Sequence, residues 1–245
     1  MKKFLVYFCG LMLCMAVGCK KDSNSNKILL LKNRVTDDRV EGHPLDTTTY
    51  EYDDQNRITA ITDGPPSLRT SFSITYNSDG SVNIARKYNK SGALIIEFDF
   101  YYTPGATGYY FHGGGNLGDT AIFTFNDKKQ LTKIQNGHSG SQLFTYDSRG
   151  NVVTSDAFGA DGSNNLFDNI TYAYDNARNP FSQTAPNNYF FMFVAYTDPS
   201  TLINNVQVRD GDTYTYTYNN EGFPIKAIVS TGTAQIPIYY NYMLK

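Results

Sequence analysis

Few residues in this chain have both the type and the spacing that chemistry needs. Its three histidines are His43, His112 and His138. His112 precedes Gly113-Gly114-Gly115 in the stretch YYFHGGGNLGD, which has the look of a phosphate-cradling loop. No helical pattern follows to aim N–H groups at an anion, and the lysine of a nucleotide-binding loop is missing, so the segment reads as a hairpin loop. His138 adjoins Ser139 in NGHSGSQ. The spacing is not that of a nucleophile elbow, and sequence neighbours on a strand or turn point apart. The acidic stretches DAFGADGSNNLFD (Asp156, Asp161, Asp168) and RDGD (Asp210, Asp212) contain carboxylates that suit Ca²⁺. They lack the regular oxygen-ligand spacing and closing glutamate of a calcium loop, and read as solvated turns. The expectation is therefore no catalytic, cofactor-binding or metal-binding residue, and no cofactor.

Specific chemistry is concentrated at Cys19. The chain opens MKKFLVYFCGLMLCMAVGCKKDSNSN, with two lysines and an apolar run from Phe4 to Val17. A basic start and an apolar stretch too short to span a bilayer comfortably read as a secretory signal. All three cysteines, Cys9, Cys14 and Cys19, lie in this segment, and only Cys19 follows a small residue. Ala16-Val17-Gly18-Cys19 resembles the lipobox of bacterial lipoproteins. The resemblance implies a diacylglycerol thioether on Cys19, cleavage before it and acylation of the new amine. Each buried methylene of such an anchor contributes about 0.8 kcal/mol, which holds a protein on a membrane without a spanning helix. With its thiol consumed, the mature chain has no disulfide, although an export compartment would permit one. The following KKDSNSN reads as a short polar tether. Its Lys20-Lys21-Asp22 resembles the lysine-plus-acid signals that send some Bacteroidetes lipoproteins to the outer face of the outer membrane. The expected organisation is a signal over 1–18, lipidated cysteine and tether over 19–27, and one domain over 28–245.

The elements behind these residues form a repeat. Aligning on the aromatic before a polar turn gives Tyr52 in YEYDDQNRITAI, Tyr76 in ITYNSDGSVNIA, Phe125 in FTFNDKKQLTKI, Tyr146 in FTYDSRGNVVTS, Tyr174 in YAYDNARNPFSQ and Tyr218 in YTYNNEGFPIKA. Wider gaps leave room for degenerate copies around Phe100 and Tyr196. Each copy reads as a β-hairpin. In SFSITY, Phe72, Ile74 and Tyr76 fall on one face and Ser71, Ser73 and Thr75 on the other, and TYTYTY alternates in the same way. Asp or Asn then opens a turn by bonding its own backbone. Four positions past the last aromatic stand Asn56, Gly80, Lys129, Gly150, Arg178 and Gly222, where a positive φ is expected. Lys129 and Arg178 fit that conformation poorly, which points to longer or strained turns. Pro180 and Pro224 lack a ladder N–H and suit a strand start or an edge. Asp53-Asp54, at first sight an acidic site, is turn chemistry by the same alignment, because Asn77, Asn126 and Asn219 replace the carboxylate in other copies.

Tyr146-Asp147-Ser148-Arg149-Gly150-Asn151-Val152 and Tyr52-Asp53-Asp54-Gln55-Asn56-Arg57-Ile58 resemble the YD repeats of Rhs-type proteins, whose hairpins build a long curling sheet. With the lipobox and the NNEGFPIKA and YDNARNPF segments, the chain also resembles a group of uncharacterised Bacteroidetes lipoproteins with a porin-like β fold. The resemblance implies compartment and architecture and brings no reaction.

The copies imply roughly 16 strands and an unrolled width of about 75 Å, and sheets that wide curl, split or close. The expected fold is all-β, an antiparallel meander of repeated hairpins curling into an open or closed barrel-like sheet with aromatics inward. The run YFFMFVAY (Tyr189 to Tyr196) reads as a doubly buried strand. A lipid-spanning barrel is disfavoured, since the runs are short and their outer faces carry Ser, Thr, Glu97 and Asp99. The formal net charge of −2 and the lack of a basic patch exclude nucleic acid as the expected partner. The expected role is a non-enzymatic binding or interaction module of the cell envelope, on a membrane through its lipid, with a glycan or envelope protein as partner. Two alternatives are an envelope glycan hydrolase using paired carboxylates in a barrel mouth and a purely structural shell.

Overall fold

The computed structural model describes residues 28–37, 45–103, 106–113, 120–137, 140–164, 169–184 and 203–245. Among these residues the regular structure is entirely β: β1 (Leu29–Thr36), β2 (Asp46–Tyr52), β3 (Ile58–Asp63), β4 (Thr70–Tyr76), β5 (Val82–Tyr88), β6 (Leu94–Thr103), β7 (Ala106–Gly113), β8 (Thr120–Phe125), β9 (Leu131–Asn136), β10 (Gly140–Tyr146), β11 (Val152–Phe158), β12 (Ile170–Tyr174), β13 (Val206–Arg209), β14 (Asp212–Tyr218), β15 (Pro224–Thr231) and β16 (Ala234–Leu244). Each strand pairs antiparallel with its sequence neighbours, and β16 pairs with β1 from Leu29↔Leu244 to Thr36↔Ile238, which closes the barrel. Closure removes the two unpaired edges that an open meander would expose.

The period of two decides which face turns inward. On β4, Phe72 and Ile74 are buried and Thr75 is exposed; on β2, Thr48 and Tyr50 are buried and Glu51 is exposed. The inward side chains form one apolar cluster running from Leu31 through Tyr50, Phe72, Phe98, Phe123 and Phe144 to Val206.

One end of the barrel, the turn end, carries the repeated Asp/Asn turns. Asp53, Asn126, Asp147 and Asn219 each accept, through Oδ1, the N–H groups two and four residues on, at 2.9–3.1 Å. In the Asn77 turn, Asp79 Oδ1 takes the N–H of Ser81 instead. The fourth position has positive φ throughout: Asn56 62°, Gly80 86°, Lys129 60°, Gly150 94° and Gly222 81°. Lys129 therefore adopts the left-handed conformation despite its side chain, in a turn of ordinary length.

The ladders within hairpins run up to these turns, but those between successive hairpins stop short of the turn end. The ladder of β1 and β2 ends at Asn33↔Thr49, that of β3 and β4 at Ala60↔Ser73, and that of β9 and β10 at Lys133↔Leu143. In six such seams a tyrosine three residues past the last rung donates its hydroxyl to the carbonyl two residues before it. The bonds are Tyr52 to Leu31 (2.8 Å), Tyr76 to Ile58 (2.6 Å), Tyr102 to Val82 (2.6 Å), Tyr146 to Leu131 (2.6 Å), Tyr216 to Val206 (2.8 Å) and Tyr242 to Pro224 (2.8 Å). Each bond satisfies a main-chain acceptor that the splayed strands leave without a rung. Tyr174 and Val152 hold the same two positions in a seventh seam, whose ladder ends at Thr154↔Thr171. The eighth seam carries the exception that explains the rule: β7 and β8 stay laddered to Ala106↔Thr124, and the aromatic there is Phe125, which has no hydroxyl. Tyr102 is the working aromatic of the degenerate copy expected around Phe100.

The YDNARNPF copy departs from expectation. The returning strand begins at Val206 and not near Pro180, which lies in a turn, whereas Pro224 does begin β15. Asp175 keeps both capping bonds: the N–H of Ala177 donates at 3.0 Å, and the second donor is Asn205 at 3.1 Å. The N–H of Asp175 donates to the Asn205 carbonyl at 3.0 Å, as Asp53 does to Arg57. Residues 176–204 thus take the place of the three residues 54–56. Lengthening a loop costs little once its ends are held, so a hairpin tolerates such an excursion. Its base is a knot of amides. The buried Asn151, Asn179 and Asn205 bond Asp147, Asn204 and the carbonyl of Arg178, and the Tyr218 hydroxyl donates to Asp175. The excursion then enters the barrel, where Phe181 packs edge-on to Tyr50 at 5.2 Å and Gln183 accepts the N–H of Leu29 at 2.7 Å. The turn end is therefore plugged. YFFMFVAY and Tyr196 lie outside the described residues.

Candidate binding site in the barrel lumen

Deeper toward the far end, the inward positions change from apolar to polar. Arg34 on β1 lies opposite Thr48 on β2 and Tyr240 on β16. The guanidinium Nη2 donates to Thr48 Oγ1 over a long 3.4 Å, and Thr48 Oγ1 in turn donates to Asp63 Oδ1 at 2.5 Å. Arg34 Nε is buried and has no hydrogen-bond partner. Asp46 is exposed where the chain enters β2, and Arg34, Asp63 and Tyr240 are half-buried.

The electrostatics follow from this enclosure. Burial acts to lower the Arg34 pKa, but Tyr50, Tyr240, Asp63 and Asp46 outweigh it and hold the value above its ordinary one, so the guanidinium keeps its charge. Burial raises the Tyr50 phenol, and Tyr240 is pushed up to about 12 chiefly by burial against the opposing pull of Arg34. Both phenols are neutral at physiological pH and can donate or accept a hydrogen bond. The cluster thus brings together a fixed cation, neutral hydroxyls and the carboxylates of Asp63 and Asp46 at one end of the first, second, third and last strands.

The residues marked out by sequence have other fates. Cys19, His43, His138, Ser139 and Asp168 lie outside the described residues. His112 is on β7, in register with Glu97 on β6. Asp161 accepts the N–H and hydroxyl of Ser163 in a far-end turn, and Asp156 sits on β11, so the two serve separate local structures. Asp210 occupies the β13–β14 turn with φ 47°. Among the described residues no group of three or more His, Cys, Asp or Glu could hold a metal ion. Sequence reasoning did not find Arg34, Thr48, Asp63 or Tyr240. The available signal was the shared face of Asp46, Thr48 and Tyr50, but the pairing of Arg34 with Tyr240 exists only once the barrel closes.

No family model matches the chain, and no curated protein does. Among solved structures, 38 chains match. A porin-like protein from Bacteroides uniformis is 13% identical, with 87% of this chain and 96% of that one covered at a TM-score of 0.41. A porin-like protein from Bacteroides vulgatus is 12% identical, with 88% and 99% covered at a TM-score of 0.38. The Tc holotoxin pore of Photorhabdus luminescens is 14% identical, with 81% of this chain and 9% of that one covered at a TM-score of 0.21.

Proposed function

We propose that this chain is a lipid-anchored protein of the cell envelope that binds a ligand in its barrel lumen and performs no covalent chemistry of its own. The observation that carries the reading is the gathering of Arg34, Thr48, Asp63 and Tyr240 on neighbouring strands of a closed sheet, where Arg34 keeps its charge and Thr48 engages one oxygen of Asp63. The groups gathered there are hydrogen-bond donors and acceptors, which suit holding and orienting a molecule.

The anchoring part rests on Ala16-Val17-Gly18-Cys19 and on the polar outer wall. The outward positions of β14 are Thr213, Thr215 and Thr217, all exposed, and Arg86 on β5 pairs with Glu97 on β6 across the outer face. A wall of this kind belongs in water and not in hydrocarbon, so the acyl chains on Cys19 would supply the attachment. Because β1 starts at the plugged end, the tether would join there and the Asp46 rim would open away from it. The anchor is tested by Cys19→Ala with fractionation and fatty-acid labelling. The variant is expected unlabelled in the soluble fraction; labelled, membrane-bound variant would refute the assignment.

A further inference from the structure

The far end of the barrel, opposite the repeated turns, differs in chemistry around its rim. The loop between β3 and β4 (64–69) and the loop between β5 and β6 (89–93) stand side by side, because Ser71 lies opposite Tyr88 where β4 and β5 pair. Hydrogen bonds hold both loops in fixed shapes. Leu68 donates its N–H to the Pro65 carbonyl at 2.9 Å, with Gly64 at φ 96°. Asn89 Oδ1 accepts the N–H groups of Ser91 at 3.0 Å and Ala93 at 2.9 Å. What they display is aliphatic: Leu68 is 74% exposed, Leu94 52% and Ile95 37%. Leu45 borders them, 51% exposed, with Asp46 after it. An exposed cation accompanies each loop, Arg69 after Leu68 and Lys90 in the Asn89 turn. Residues 64–69 and 88–96 contain no acid, and Asp63, just before the first loop, is engaged by Thr48. At the other end of the barrel, the turns 53–57, 77–81, 126–130, 147–151 and 219–223 each contain an Asp or Glu.

Single exposed aliphatics are ordinary, but three on two adjoining loops, each loop with a cation and no acid, suit a surface that is both apolar and anionic. A protein partner would need pockets matched to these projecting side chains. A bilayer instead admits them into its headgroup boundary and offers phosphates to the cations beside them. Reach allows the contact, given the Cys19 anchor proposed above, on which this inference rests. The nine residues 19–27 extend to at most about 30 Å. The eight residues of β1, running from the plugged end to the far end, cover about 26 Å. A barrel tethered at its plugged end can therefore lean over and set one side of its far rim on the same bilayer. We propose that residues 64–69 and 89–95 form a second membrane contact, in which Leu68, Leu94 and Ile95 enter the interface of an anionic phospholipid bilayer and Arg69 and Lys90 meet its headgroups.

The test places an environment-sensitive fluorophore on the full-length, acylated protein through Ser67→Cys or Ala93→Cys, both exposed positions that leave the aliphatics intact, with the outer-wall Thr215→Cys as control. Each protein is reconstituted in phosphatidylcholine vesicles with and without phosphatidylglycerol, some carrying a quencher on the lipid. With phosphatidylglycerol, the labels at 67 and 93 should shift to the blue and be quenched by the lipid, and the label at 215 should do neither. Arg69→Gln combined with Lys90→Gln should lower the ratio of docked to free loops about tenfold or more. Leu68→Ser combined with Leu94→Ser should lower it by a similar factor. Labels at 67 and 93 that stay in water on protein floating with the vesicles would overturn this contact and leave the anchor standing. So would quenching that neither double variant reduces. Labels shielded in the absence of lipid, on protein that sediments as a dimer, would overturn the bilayer in favour of a second copy of the chain. Protein that does not float with the vesicles would overturn the anchor and the second contact together.

Discussion

Tyr76→Phe isolates the contribution of one seam hydroxyl. The Tyr76 hydroxyl donates to the Ile58 carbonyl at 2.6 Å, and Ile58 is 1% exposed, so no water replaces the lost donor. Phenylalanine keeps the ring on which the Arg57 guanidinium lies at 4.3 Å, leaving the packing otherwise intact. A net hydrogen bond is worth about 1 kcal/mol, and an orphaned buried acceptor adds to that, so the loss should be about 1–2 kcal/mol. For a domain of this size each kcal/mol moves Tm by about 2–4 °C, giving an expected fall of roughly 2–8 °C. Urea denaturation of wild type and variant should show a lower midpoint at unchanged slope. The companion change Phe125→Tyr adds a hydroxyl where β8 already meets Ala106 in a ladder, and should stabilise nothing. A Tyr76→Phe protein as stable as wild type within about 0.3 kcal/mol would refute the view that tyrosines close the seams.

Other changes follow from the same structure. Asn205→Ala removes the amide that bonds Asp175 and the Arg178 carbonyl, and should loosen the excursion first, seen as faster proteolysis between residues 177 and 203 with the barrel still folded. Gly140 has φ 105°, and a Cβ there would fall 1.9 Å from the Phe158 carbonyl oxygen, so Gly140→Ala should cost about 2 kcal/mol or more in thermal unfolding. Stability should also fall at both extremes of pH. Burial raises the phenols of Tyr52, Tyr76, Tyr216 and Tyr242 above their ordinary 10.0, so their contribution is complete below about pH 10 and is lost as pH rises beyond it. Burial alone would raise the Asp53 and Asp147 carboxyls, but hydrogen bonds from Arg57 and Gln55 to Asp53, and from Asn151 and Arg149 to Asp147, outweigh it and hold both below 3.8. Their contribution is present above about pH 4 and lost as pH falls below it, which a pH series of melting curves would follow.

The repeat was readable because it is local. An aromatic, an Asp or Asn and a left-handed position lie within a few residues of each other, and the hydrogen bonds they make stay in that span; Lys129 went against the sequence expectation, because the turn's own bonds hold it at positive φ without added length. The inward set could be read from alternation alone on β4 and β14. The use of the last aromatic was not readable from one copy, because the carbonyl it bonds belongs to the preceding hairpin and the need for it depends on where a ladder stops. Tyr76 and Phe125 look interchangeable in sequence and do different things. The YDNARNPF copy misled for a related reason: Asp175 has the right neighbours for a hairpin, and its second cap, Asn205, comes from far down the chain. The lumen cluster was the least legible. Arg34 and Tyr240 meet only because the first strand and the last strand are neighbours, a fact of closure that no local pattern carries.

The most direct measurement of lumen binding is hydrogen exchange of the full-length protein with and without a saturating oligosaccharide, drawn from the glycans expected as partners. Slower exchange is expected over residues 29–36, 46–52, 58–63 and 234–244, the strands that carry Arg34, Thr48, Tyr50, Asp63 and Tyr240. Protection confined to the Asp147 and Asn219 turns, or to segments remote from Arg34, would contradict a site in the lumen.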